Sequence, residues 1–262
     1  MGGAKPAVDL GLEDRRVIVG GASRGIGLAV AREFLAERAH VALFARDERR
    51  LRLVAEELQR AHPDRLVVQR SVDLRDGPVT SEAVAEAVAA LGGLDCAVAV
   101  AGTGVGIQGS DVPPEEWTRL LGENLLTATN LCRAAATAVS DGGALALVAS
   151  IAGLTHLPAP LPYGAAKAAV IRYGKDLSHA LAARRVRVNV VAPGNVLFPG
   201  GRWEELRAAD PGGVDDFITR EVPLGRFGAP DEVAAAIVFL CSERCAFVTG
   251  ACLPVDGGQL RD

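Results

Sequence analysis

This chain predicts an α/β fold, a doubly wound parallel sheet of about seven strands with helices on both faces. Three observations carry the expectation. Apolar runs of strand length alternate with amphipathic stretches of helix length from residue 16 to residue 255. The strand-length runs are almost continuously Val, Ile, Leu and Ala, the pattern of strands buried on both faces. The 262 residues are 49% hydrophobic, which suits one large core, and no repeat, low-complexity tract or long linker divides them.

The first strand is 16–20, and glycines then turn the chain into an amphipathic helix at 26–37. A second strand at 40–44 precedes a helix at 47–60, opened by Asp47 as an acidic cap. A third strand, 66–69, leads to a helix at 81–91, and a fourth, 96–100, leads to a long helix at 114–139. The fifth strand is 144–148, followed by a helix at 163–183 and a sixth strand at 186–191. The stretch 193–228 is rich in Gly and Pro, with one short helical piece at 203–209. Long segments of this kind are often lids or binding loops. A helix at 231–240 and a last strand at 252–255 complete a single domain spanning 1–262.

Composition excludes several classes. The net charge is −4, and the 28 basic residues, 25 of them Arg, are scattered rather than gathered into the basic stripe of a nucleic-acid binder. Mean hydropathy is +0.22, yet no run reaches the ~18 apolar residues of a membrane span. Five cysteines, Cys96, Cys132, Cys241, Cys245 and Cys252, match no zinc or redox spacing and read as buried thiols. Residues 1–12 lack the charged start and apolar stretch of a signal peptide, so the expected compartment is a reducing cytoplasm.

Two motifs carry chemistry. The first strand runs into Gly20-Gly21-Ala22-Ser23-Arg24-Gly25-Ile26-Gly27. Glycines between a strand and a helix let the backbone approach a pyrophosphate at the positive helix end, although a lone glycine motif is weak evidence. At the end of the second strand, Ala45 stands where an acid would bind ribose hydroxyls and favour NAD. Arg46 follows, suited to the 2′-phosphate of NADP, with Arg24 as a second cation. The plain alternative is that Arg46 faces solvent and Asp47 only caps a helix.

The second motif is Ser150, Tyr163 and Lys167. The chain has two tyrosines and three lysines, and one of each falls four residues apart. Positions i and i+4 share a helix face, and an ammonium beside a phenol lowers its pKa from about 10. An incidental surface pair is the plain reading of Tyr163 and Lys167 taken alone.

Together these residues resemble the short-chain dehydrogenase/reductase family, in its single-domain, Rossmann-like soluble branch. The resemblance covers 17–258. It rests on Gly21-x-x-x-Gly25-x-Gly27, Asp73-Leu74, Asn124, Ser150, Tyr163-x-x-x-Lys167, Pro193-Gly194 and the stretches 223–234 and 255–258. It implies that Tyr163 is the general acid for ketone reduction and the base for alcohol oxidation. Lys167 would lower its pKa and hold the nicotinamide ribose, Ser150 would bind the substrate oxygen, and Asn124 would support a water leading to Lys167. The implied cofactor residues are Gly21, Ser23, Arg24, Gly25, Ile26 and Gly27, then Arg46, Asp73 and Leu74. Ala101, Gly102, Pro193, Gly194 and Val196 follow, with Tyr163 and Lys167 shared. The chain departs from the family at Gly20, where Thr is usual, and at Ala99-Val100-Ala101-Gly102, where Asn-Asn-Ala-Gly is usual. It also departs after Pro193-Gly194, where a carboxamide-binding Thr is common.

The expected protein is an NADP(H)-dependent oxidoreductase interconverting a ketone and a secondary alcohol, acting as a ketoreductase on a largely apolar small-molecule substrate. An NAD-dependent alcohol dehydrogenase, a catalytically silent dinucleotide-binding protein and an acyl-carrier ketoreductase are the alternatives. The last needs a cationic docking patch, and 134–141 contains no Lys or Arg. No metal, nucleic acid or membrane partner is expected. The resemblance implies a homotetramer assembled through helices 114–139 and 163–183 and the last strand. His156 near the Ser150 loop reads as a partly exposed side chain. Trp203 either covers a substrate or packs its own stretch.

Overall fold

The computed structural model describes residues 9–261. Of the N-terminal stretch 1–12, residues 1–8 lie outside them.

The described residues form a seven-stranded, fully parallel sheet in the order β3-β2-β1-β4-β5-β6-β7. The strands are β1 (Arg16–Gly20), β2 (His40–Ala45), β3 (Val67–Ser71), β4 (Cys96–Ala99), β5 (Ala144–Val148), β6 (Arg187–Pro193) and β7 (Cys252–Val255). β1, β2, β4, β5 and β6 are buried almost throughout, while the edge strands β3 and β7 are not. Continuous apolar composition is thus found where both faces are covered. One face packs on α1 (Gly25–Ala36), α2 (Glu48–Ala61) and α9 (Pro230–Cys241). The other packs on α3 (Gly77–Leu91), α5 (Thr127–Ala138) and α6 (Leu161–Ala180).

The chain runs outward from β1 through β2 to β3, then returns to place β4 on the other side of β1. The direction reverses between β1 and β4. A crevice at the carboxyl ends of such strands is where open α/β sheets bind ligands.

Four expectations are corrected. α3 starts at Gly77 instead of 81, capped by Asp76, which accepts from Val79 N at 3.1 Å. Gly77-Pro78 looks like a turn, but a first-turn Pro lacks only an N–H that has no helical partner anyway. The long helix 114–139 is three pieces: α4 (Pro114–Leu121), a π-helical turn at Gly122–Leu126, and α5. The 193–228 stretch holds two helices, α7 (Arg202–Ala209) and α8 (Pro211–Glu221). Asp210 caps the second by accepting from Gly213 N at 2.9 Å. The 163–183 helix begins at Leu161, ends at Ala180, and is followed by a 3₁₀ turn at Ala182–Arg184.

All five cysteines are free thiols among the described residues, and all but Cys252 are buried. No helix there is long and apolar enough to cross a membrane.

Candidate active site

The glycine loop leaves β1 with Gly21 at φ +87° and Gly25 at φ +55°, backbone that an L side chain rarely adopts. A Cβ on Gly21 would sit 2.8 Å from Ala101 N, and one on Gly27 would fall well inside contact distance of Gly21 O. The loop is therefore folded tightly on itself and on the end of β4. Gly27→Ala is expected to destabilise the fold by about 1–3 kcal/mol, as overpacking does. Thermal denaturation against wild type checks it. Arg24 stands at the N-cap of α1, and among the described residues no side chain caps that helix. Its first N–H groups are thus available to an anion.

A cleft of about 770 Å³ opens beside this loop. Gly21, Ser23, Arg24, Gly25, Ile26 and Gly27 line one side, and Arg46, Asp73, Leu74, Ala101 and Gly102 line others. Volume, glycine cradle and uncapped helix end fit a dinucleotide. Arg46 is exposed, its guanidinium 3.8 Å from Glu123 Oε1. Asp73 accepts from Arg75 N (3.0 Å) and from its guanidinium, and Arg75 first of all holds its carboxyl below the usual carboxylate range. Asp47 accepts from Arg50 N and caps α2. Arg50, Arg75, Glu123, Thr127 and Phe198 also line the cleft and were not foreseen. Only Arg50 had a local signal, four positions beyond Arg46 on a predicted helix.

Pro193, Gly194 and Val196 do not line this cleft. Gly194 is pressed against the turn after β7, since a Cβ there would lie 2.8 Å from Asp256 Cα, and Val196 is buried in a bridge to Gly228. Phe198 reaches the cleft instead. Its ring would be 2.8 Å from a Cβ on Gly25, and Arg24 Nη1 donates to Gly200 O at 2.7 Å. Residues 193–228 thus close onto the glycine loop. Trp203 packs its own stretch: its ring lies 5.0 Å from Phe217 and 4.5 Å from Phe227, and Nε1 donates to Asn195 Oδ1 at 3.0 Å.

Ser150 follows β5 in extended backbone, and its hydroxyl accepts from Ala152 N at 3.1 Å. Tyr163 lies in the first turn of α6 and Lys167 one turn later. Lys167 is only 3% exposed, and its Nζ donates to Val148 O at 3.0 Å. It lies 5.9 Å from the Tyr163 ring centroid. Burial pushes the Lys167 ammonium down to about 8 and the Tyr163 phenol up, the latter opposed by a hydrogen bond with Ser150. The expected lowering by Lys167 is not found: desolvation sets the direction, and Ser150 is what opposes it.

Asn124 is fully buried on the π-helical turn. Its Oδ1 accepts from Thr103 N (3.0 Å), and its Nδ2 donates to Thr103 O (2.9 Å) and Leu120 O (3.0 Å). A π turn inside a helix is a frequent mark of a functional site. Gly102 joins the two halves of the site. A Cβ there would meet Asn124 Oδ1 at 2.6 Å and Lys167 Nζ at 3.2 Å, and Gly102 also lines the cleft.

The departures at Gly20 and 99–102 have physical counterparts. A Cβ on Gly20 would be 2.6 Å from Leu131, so apolar packing fills that space. The floor is held instead by Val100 N to Gly20 O (3.0 Å), Thr127 Oγ1 to Ala101 O (3.3 Å) and the Asn124–Thr103 pair.

A family model described as enoyl-(acyl carrier protein) reductase matches residues 21–259. A 3-oxoacyl-[acyl-carrier-protein] reductase of Chlamydia muridarum is 32% identical over 254 residues, 95% of this chain and 98% of the relative. An L-fucose dehydrogenase of Oryctolagus cuniculus is 37% identical over 250 residues, covering 92% and 84%. The crystal structure of L-sorbose reductase from Gluconobacter frateurii, complexed with NADPH and L-sorbose, superposes with a TM-score of 0.89. It is 30% identical and covers 97% of this chain and 100% of that one.

Proposed function

Because the chain belongs to the short-chain dehydrogenase/reductase family, we propose that it moves hydride between NADP(H) and a ketone or secondary alcohol, acting as a ketoreductase. The reading is carried by one observation. Lys167 and Asn124 stand beside Gly102, the residue that also lines the dinucleotide-sized cleft, and the Tyr163 ring, partnered by Ser150, lies 5.9 Å from the Lys167 ammonium. The nicotinamide, when bound, supplies the hydride. Tyr163 gives a proton to the carbonyl oxygen, Ser150 holds that oxygen, and Lys167 holds the ribose and the charge beside the phenol. Asn124 braces the loop that follows β4.

Three observations favour NADP(H) over NAD(H). Ala45 offers no carboxylate at the strand end. Asp47 is engaged as a helix cap and Asp73 is chelated by Arg75. Arg46 and Arg50 line the cleft where a 2′-phosphate would be met, while Arg24 is turned to Gly200 O. Nicotinamide fluorescence titrations test this. NADPH is expected to bind about tenfold or more tightly than NADH, and Arg46→Ala to remove most of the difference, in line with a charge-assisted phosphate contact. Preference for NADH would instead favour an NAD-dependent alcohol dehydrogenase. Binding of neither would favour a catalytically silent protein.

The substrate is read as a largely apolar carbonyl compound. Val105 and Ile107, on the loop crossing Tyr163, are 51% and 48% exposed, and Leu154 and Leu161 are exposed nearby in sequence to the catalytic residues. An acyl-carrier substrate is less well supported. Arg184, a cation that could contribute to a docking patch, is bound to Asp141 and to the carbonyls of Ala136 and Val139. Residues 193–228 serve as the lid. Free thiols suit a reducing compartment. Exposed Phe247, Val248 and Leu253 around the edge strand β7 support a homo-oligomer.

A further inference from the structure

The segment 103–108 passes over Tyr163 and is held from the side by the broken helix. Asn124 bonds both Thr103 N and Thr103 O. Arg119 Nη2 donates to Val105 O at 2.9 Å, and Glu116 Oε1 accepts from Ile107 N at 3.0 Å. Every second residue is thus tied through its backbone. Gly104, between two of the ties, faces the phenol: a Cβ there would lie 3.7 Å from Tyr163 Cζ.

Arg119 is the hub of these ties. Its Nε and Nη2 donate to the two oxygens of Glu116, each at 2.7 Å, and Nη1 donates to Glu123 Oε2 at 2.8 Å. The other Glu123 oxygen lies 3.8 Å from Arg46 Nη1 and 4.0 Å from Arg75 Nη1. A continuous line of charge therefore runs from the loop over Tyr163 to the cations at the far end of the cleft. Arg119, then the Ile107 amide, hold the Glu116 carboxyl down at about 2, so it is ionised throughout the neutral range.

We propose that Arg119 is a positioning residue with two effects. It fixes segment 103–108 over Tyr163 by holding the Val105 carbonyl and aiming Glu116 at the Ile107 amide. It also neutralises Glu123, so that Arg46 remains available to the cofactor phosphate. The inference rests on the reading of Tyr163 as proton donor and of Arg46 as phosphate contact. A lysine cannot replace the fork, because a point ammonium cannot serve Glu116 in bidentate fashion together with Val105 O and Glu123.

The test compares wild type, Arg119→Gln, Arg119→Lys and the double variant Arg119→Gln/Glu123→Gln. Benzylacetone serves as the probe ketone, NADPH and NADH as probe cofactors, and amide hydrogen exchange is followed across 103–108 without ligand. Arg119→Gln is expected to lower kcat/KM for the ketone about tenfold, mainly through KM, as loss of a charge-assisted tether would. It should speed exchange in 103–108 and weaken NADPH several-fold while leaving NADH unchanged, because Glu123 is left to repel the phosphate. Arg119→Lys should restore NADPH binding but not loop protection. The double variant should likewise recover NADPH and leave the ketone defect in place. Unchanged exchange in Arg119→Gln, or equal weakening of both cofactors, overturns the proposal. Failure of wild type to reduce benzylacetone or any other ketone speaks against the functional reading, while the exchange measurement still decides the clamp.

Discussion

Tyr163→Phe is expected to lower turnover by about 10²–10⁴-fold, the usual contribution of a positioned general acid, while NADPH still binds. The change removes one oxygen and leaves the ring, which packs beside Gly104 and lies 5.9 Å from the Lys167 ammonium. Among the described residues the phenol's hydrogen-bond partner is Ser150, so the fold should survive. Burial raises the Tyr163 pKa, and the Ser150 hydrogen bond opposes that rise. The phenol therefore stays protonated at neutral pH, which suits it to give a proton to a carbonyl oxygen. Taking one from an alcohol needs the phenolate, so oxidation should accelerate as pH rises. Ser150→Ala should push that rise to higher pH, because the opposing hydrogen bond is lost. Steady-state rates in both directions and a fluorescence titration of the variant check these points. A Phe variant within tenfold of wild type would sink the assignment of Tyr163.

Strands were the most legible elements, because burial on both faces forces continuous apolar runs such as 144–148 and leaves their composition unmistakable. Two helical features were hidden for opposite reasons. The π turn at Gly122–Leu126 keeps helical periodicity while shifting its register, so no pattern in the sequence marks it. α8 opens Pro211-Gly212-Gly213 and buries only Val214, so it offers neither propensity nor an apolar stripe. In the site, Ser150, Tyr163, Lys167 and the glycine loop were legible because each sits at a strand end or within one helical turn of its partner. Arg75, Glu123 and Phe198 reach the cleft from the loop after β3, the broken helix and 193–228 through tertiary packing alone. The same packing draws Gly194 and Val196 away from it.

Lys167→Met should abolish turnover and yet stabilise the ligand-free protein below pH 8. Lys167 is buried with its ammonium donating to Val148 O, and desolvation lowers its pKa from 10.5 to about 8. A lowered pKa on a cation means the folded state holds the proton less tightly than the unfolded state. Below pH 8 both states are charged, and the folded state carries the full desolvation penalty. Between about 8 and 10.5 the folded state releases its proton first, so wild type gains stability as pH rises, and above that range the penalty is gone. The shift corresponds to about 3 kcal/mol at most. A methionine of similar length leaves the Val148 carbonyl without its donor, at a cost of about 1 kcal/mol. The variant should therefore be more stable by about 2 kcal/mol at pH 7, with the advantage shrinking towards pH 10. Denaturant unfolding at pH 7 and pH 9.5 reads both numbers, and a variant less stable than wild type at pH 7 would refute the argument. Its functional side follows from Gly102, which lines the cleft and whose missing side chain keeps only a glycine between the cleft and Lys167 Nζ. A charge that destabilises the empty fold, standing beside the cleft-lining Gly102 and one helical turn from Tyr163, is the kind of trade between stability and activity expected of a site residue.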